Sequence, residues 1–141
     1  MSSSNAHVLD PVRVGDCMRP GVIACSPDTP LSEVAETMCS RHVHALAVAG
    51  VAGPAAIIIS DLDVIGALAT ADDLAVHQVA MTEAVTAPRD APLREAAQVM
   101  AEHGVSHLIV LDEANGRPVG VLSTTDILAA YSAAAHRPTS A

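Results

Sequence analysis

The 141-residue sequence contains no lysine, phenylalanine or tryptophan, and its only aromatic residue is Tyr131. With half of the chain hydrophobic, the core must be assembled from Val, Ile, Leu, Ala and Met. A chain of this length is one domain of ordinary size, long enough to bury such a core. Positive charge is scarce: seven arginines stand against sixteen acids, a net charge of −9. A nucleic-acid binder needs a basic face to displace counterions, so that class is excluded, and so is adhesion to an acidic membrane. A local cluster of Arg or His remains able to hold a single phosphate. Cysteine is also sparse. Cys17, Cys25 and Cys39 are odd in number and form no C-x-x-C pair. They read as reduced, mostly buried thiols of a cytoplasmic protein. Met1 to Val8 lacks a signal-peptide pattern, and no apolar run reaches membrane-spanning length.

What the sequence does contain, it contains twice. Pro30, Leu31, Glu33, Ala35 and Met38 map onto Pro92, Leu93, Glu95, Ala97 and Met100 at an offset of 62, and Val43, Leu46 and Val48 map onto Val105, Leu108 and Val110. Two copies make a tandem pair rather than a solenoid. Like units tend to pack about a pseudo-twofold axis, with a cleft that offers two similar places for a ligand.

Each copy reads β-α-β-β-α. Short β-prone runs come first (Val22 to Cys25; Val85 to Ala87), followed by turns at Ser26-Pro27-Asp28 and Pro88-Arg89-Asp90. Each first helix places proline at its first position, where no hydrogen bond is lost. Its apolar stripe falls at i, i+3, i+4, i+7: Leu31, Val34, Ala35, Met38 and Leu93, Ala96, Ala97, Met100. Strands follow at Ala45 to Ala49 and His107 to Leu111. Turns come next, at Gly53-Pro54 and at Glu113 to Gly116. Further strands at Ala56 to Ile59 and Val119 to Leu122 lead into helices beginning near Ser60 and Ser123, where the offset becomes 63. Residues 71–79 form the candidate linker, and the two ends of the chain read as frayed. The expected fold is α+β, with repeat 1 over residues 12–73 and repeat 2 over 76–135.

The informative constellation is apolar strand, Ser-x-x-Asp, apolar helix, at Ser60/Asp63 and again at Ser123/Asp126. Its structural meaning is a capping box, with serine accepting from a first-turn amide and the acid reaching back. Its functional meaning is compatible with that. A helix N-terminus attracts phosphate, a carboxylate beside it accepts both hydroxyls of a ribose, and serine donates to a ribose or phosphate oxygen.

The closing motif and the β-α-β-β-α order resemble the CBS domain, named after cystathionine β-synthase, and two copies resemble a CBS pair, or Bateman module. The resemblance rests on 104–110 (Gly-Val-Ser-His-Leu-Ile-Val) and 118–126 (Pro-Val-Gly-Val-Leu-Ser-Thr-Thr-Asp) in the second copy. The first copy matches less fully, at 42–48 and 58–63. It implies a stand-alone regulatory module, not an enzyme, with no cofactor other than a regulatory ligand. That ligand would contain adenosine: AMP, ADP, ATP or S-adenosylmethionine. By the same resemblance Asp63 and Asp126 would hold ribose hydroxyls, with Ser60, Asp61, Ser123 and Thr124 beside them. Ile23, Ala24, Val85 and Thr86 would flank adenine, and His44 and His107 would lie where related modules place phosphate-contacting bases. Ile57 stands where the second copy has Gly120, and Lys is missing. Ile57 would crowd the first corner, which favours the second; the missing Lys favours AMP, ADP or an uncharged adenosyl group over a triphosphate. Related modules form flat homodimers through helices, and the stripes on the two first helices are candidates for that contact. A separate regulated protein is the implied partner. The rival reading is a ligand-free adaptor whose cleft is filled by its own side chains.

Other chemistry has weaker support. His42-x-His44 and the His103/His107 pair lack metal-ligand spacing on one element. No Cys has a visible base partner. Met18 and Met81 read as core plugs, and Asp72-Asp73 as a solvated stretch.

Overall fold

The computed structural model describes residues 7–50, 56–79 and 81–136. The expected Gly53-Pro54 turn, Met1 to Asn5 and Arg137 to Ala141 lie outside them. In chain order the elements are α1 (Val14–Cys17), β1 (Arg19–Pro20), β2 (Ala24–Cys25), α2 (Leu31–Arg41), β3 (Ala45–Val48), β4 (Ile57–Ser60) and α3 (Asp61–Leu68). A 3-10 turn at Val76–Gln78 follows, then β5 (Thr82–Glu83), β6 (Thr86–Pro88), α4 (Leu93–His103), β7 (His107–Leu111), β8 (Pro118–Ser123) and α5 (Thr124–Ala135). The α+β class and the repeated β-α-β-β-α order are both present.

The chain forms two compact units, residues 22–84 and residues 1–21 with 85–141. Neither unit is a sequence repeat alone. In the first, the sheet order is β2-β3-β4-β5. Strand β2 runs parallel to β3, β3 antiparallel to β4, and β4 antiparallel to β5. In the second, the order is β1-β8-β7-β6, with β6 parallel to β7 and the other pairs antiparallel. The segment before each repeat is thus donated to the sheet of the other repeat. Arg19 and Pro20 pair with Val121 and Gly120, as Thr82 and Glu83 pair with Ile58 and Ile57. These two-residue strands lie outside the β-α-β-β-α order read from the sequence, being too short for a periodic signal.

Each unit buries its own core. Leu31, Val34, Met38, Leu46, Val48, Ile59, Val64 and Val76 cluster in one unit. Leu93, Ala96, Met100, Leu108, Val110, Leu122 and Ile127 belong to the core of the other, with Val14. The expected stripes on α2 and α4 therefore point inward, leaving little of either for a partner. Exposed apolar side chains instead lie on α3 (Leu62, Ile65, Leu68) and α5 (Leu128, Tyr131). Met18 and Met81 pack against their respective cores, as expected of plugs.

Some expectations shift. Pro30 and Pro92 are N-caps with extended ψ of 147° and 141°, one residue before the first helical position. A proline cap has no side-chain acceptor for the orphan amides. In α2 that role is taken from afar: Asp73 Oδ1 accepts from Ser32 N–H at 3.0 Å. Asp73 is therefore a capping residue rather than merely solvated. The linker 71–79 is packed, not loose. Val76 is fully buried, and Leu31 N–H donates to the Leu74 carbonyl at 2.8 Å.

Among the described glycines, Gly120 is the most closely packed. A Cβ there would lie 2.5 Å from Met18 Sδ and 2.6 Å from the Arg19 carbonyl oxygen. The donated strand β1 sits directly on it, and Ile57 at the equivalent place in the other sheet faces no such demand. Gly120→Ala should lower unfolding free energy by about 1–3 kcal/mol through forced displacement of β1. Urea denaturation checks this, and an unchanged midpoint would contradict the close approach.

Candidate functional site

Both Ser-x-x-Asp motifs fold as strand-to-helix corners. Ser60 Oγ accepts from Asp63 N–H at 3.2 Å, and Asp63 Oδ2 accepts from Ser60 N–H at 2.9 Å. Ser123 and Asp126 repeat the pair at the same two distances. Each corner is anchored on both sides: Ile59 and Leu122, next to last in their strands, are fully buried, and Val64 and Ile127 sit buried in the first helical turns. The first helical amide is also fixed. Asp61 N–H donates to the His44 carbonyl at 2.8 Å, and Thr124 N–H to that of Ser106 at 3.0 Å.

The corners differ in what remains available. At the first, Asp61 Oδ1 accepts from Leu62 N–H at 2.8 Å, and Oδ2 pairs with His44 Nδ1 at 3.1 Å. Thr82 Oγ1 donates to Asp63 Oδ2 at 2.9 Å. All three first-turn amides are thereby occupied, and Asp63 Oδ2 carries two donors. At the second corner, no described residue accepts from Thr125 N–H, and Asp126 Oδ2 carries one donor, Ser123 N–H. An ionised carboxylate has about four acceptor sites, so more of Asp126 stays open.

Of the candidate adenine-flanking residues, Ala24 and Thr86 open the edge strands and Ile23 and Val85 immediately precede them. Ala47 N–H takes the Ile23 carbonyl at 2.9 Å and Ala49 N–H that of Cys25 at 2.8 Å. Backbone groups alternate in direction along a strand, so Ala24 turns its N–H and C=O toward the open edge of β2. In β6, Ile109 N–H takes the Val85 carbonyl at 2.9 Å, and Thr86 turns outward likewise. Edge and corner are separated by one intervening strand, about 10 Å across the sheet.

One unit thus brings together Ile23, Ala24, His44, Ser60, Asp61 and Asp63. The other brings together Val85, Thr86, His107, Ser123, Thr124 and Asp126. The two histidines are not equivalent. His44 precedes β3 and pairs with Asp61, whereas His107 lies within β7 opposite Ser123, its Nδ1 2.9 Å from Ser106 Oγ. Sequence reasoning missed Thr82 and Arg19, which occupy equivalent positions on the donated strands. The correspondence of Met18 with Met81 was the signal that could have found them.

Thiol and metal chemistry find no centre among the described residues. Cys17 and Cys25 are half-buried and Cys39 is exposed, so the thiols are less buried than expected. Burial, and then the charge of Asp16 and Asp126, pushes the Cys17 thiol up; burial and then Glu33 does the same for Cys25. That is the opposite of an activated nucleophile. Among the described residues no group of three or more His, Cys, Asp or Glu could hold a metal ion. Among them, too, no helix is long and apolar enough to cross a membrane.

Comparison with known proteins adds the family. The CBS domain model matches residues 14–70 and again residues 76–133. Among solved structures, the CBS domain pair of protein MJ0100, in complex with 5′-methylthioadenosine and S-adenosyl-L-methionine, superposes with a TM-score of 0.72 at 22% identity, covering 86% of this chain and 96% of that one. CBSX2 in complex with AMP gives 0.68 at 22% identity, covering 85% and 96%. Hypoxic Response Protein I, with two coordinated zinc ions, gives 0.67 at 26% identity, covering 90% and 100%. A search of curated proteins finds no match to the sequence. Two family matches over most of the chain, on a fold shared with CBS pairs, establish that the chain belongs to the CBS domain family, as a tandem pair.

Proposed function

We propose that this protein is a regulatory, non-catalytic CBS pair that binds an adenosine-containing ligand at its strand-to-helix corners. The observation that carries this reading is the second corner. Asp126 is held rigidly by Ser123 yet keeps acceptor capacity, beside an open Thr125 amide and one strand away from the edge backbone of Thr86. A fixed carboxylate suits a ribose diol, because both hydroxyls can donate to it. Structural relatives that carry AMP, S-adenosyl-L-methionine or 5′-methylthioadenosine support the same ligand class. The first corner also gives the adaptor reading some support, since its groups satisfy one another through Thr82, Asp61 and His44.

Isothermal titration calorimetry with AMP, ADP, ATP and S-adenosylmethionine tests the reading. At least one should bind, and Asp126→Asn, which keeps a side-chain acceptor for the Ser123 amide, should weaken binding about 10–100-fold. Absence of heat with every ligand would favour the adaptor.

Signalling then runs through a second copy and a separate regulated protein. The ligand must bind two arrangements of the dimer with different affinity to shift between them. The faces that suit self-association are those of α3 and α5, where Ile65 is 62% and Leu128 64% exposed. They are equivalent positions of the two repeats, which suits an isologous contact. Ile65→Glu with Leu128→Glu should convert a dimer to a monomer in sedimentation velocity. A wild-type monomer, or an unaffected dimer, would contradict the contact.

A further inference from the structure

The two corners carry different charge at equivalent positions. The first helical residue is Asp61 in α3 and Thr124 in α5. The donated strand contributes Thr82 opposite Ile58, and Arg19 opposite Val121. Thr82 reaches its corner directly, through Oγ1 on Asp63, so that register position addresses the corner carboxylate. Arg19 stands at the same position in the other sheet, exposed and forming no ion pair among the described residues. Relative to the second corner, the first thus gains one negative charge and loses one positive charge.

We propose that these two positions, Asp61/Thr124 and Thr82/Arg19, set ligand class corner by corner, a proposal that rests on the nucleoside reading above. Asp61 bars phosphate from the first corner twice over. Its carboxylate stands where a 5′-phosphate would approach the helix N-terminus, and its Oδ1 occupies the Leu62 amide that phosphate would otherwise use. His44, 3.1 Å from Oδ2, holds the Asp61 side chain in that position. The first corner therefore takes a nucleoside whose 5′ substituent is neutral or cationic. The second corner takes a nucleoside 5′-phosphate, with the Thr125 amide and the Arg19 guanidinium as its donors. Neutral hydroxyls at Thr124 and Thr125 leave room for the anion there.

Calorimetry of the full chain with adenosine and with AMP, on wild type, Arg19→Thr and Asp61→Thr, tests this. Threonine is native at both equivalent positions, and circular dichroism verifies folding of each variant. AMP should bind wild type at one site per chain. Arg19→Thr should weaken AMP about tenfold more than it weakens adenosine. Asp61→Thr should raise AMP stoichiometry from one to two per chain. If adenosine and AMP bind but Arg19→Thr affects them equally, the role of Arg19 is overturned. If AMP stoichiometry stays at one in Asp61→Thr, the role of Asp61 is overturned; the nucleoside reading survives both results. Binding of neither compound to wild type overturns the nucleoside reading, and this inference with it.

Discussion

The candidate site of this chain depends on one reciprocal hydrogen-bond pair, made twice. A serine at the end of a buried strand accepts from the amide of an aspartate three residues on, and that aspartate accepts from the serine amide. The pair satisfies two backbone donors that a helix start otherwise leaves orphaned. It also fixes a carboxylate in space with few rotamers open to it. Buried Ile59 and Leu122 hold the strand side, and buried Val64 and Ile127 hold the helix side. A rigid acceptor at the mouth of a helix dipole needs little reorganisation to meet a polar ligand.

The second dependency is the exchange of short strands. Each sheet is completed by residues that precede the other repeat, Arg19-Pro20 and Thr82-Glu83. The exchange covers one edge of each sheet, while at the opposite edges β2 and β6 pair with no further strand of their sheet among the described residues. It also delivers the Thr82 side chain to the first corner from outside its own repeat. Variation at that position can therefore alter the corner without disturbing the motif that builds it. Gly120 records the steric side of this arrangement, since Met18 and Arg19 leave no space for a Cβ.

Much of this was legible in the sequence, and for identifiable reasons. Repetition at an offset of 62 exposed the two repeats, and the i, i+3, i+7 spacing of Leu31, Val34 and Met38 gave the helix. The serine and aspartate caps were readable because capping is local. What escaped was non-local or too short to be periodic. Asp73 caps α2 from 41 residues away, Val76 buries a segment that reads as a linker, and two-residue strands leave no alternation. The expected association stripe failed because Val34, Met38, Ala96 and Met100 fill the cores. In a chain almost without aromatics, small aliphatic side chains serve core and surface alike, so composition could not assign the face.

The central claim is that the corner formed by Ser123 and Asp126 receives a nucleoside 5′-phosphate while Asp61 keeps one from its counterpart. Backbone-resolved NMR titration with AMP tests it most directly. The account predicts that the amides of Thr125 and Thr86 shift first and saturate together, with Leu62 unmoved at the same AMP concentration. Shifts centred on Leu62 and Ala24 with Thr125 silent, or no shifts at either corner, would contradict it.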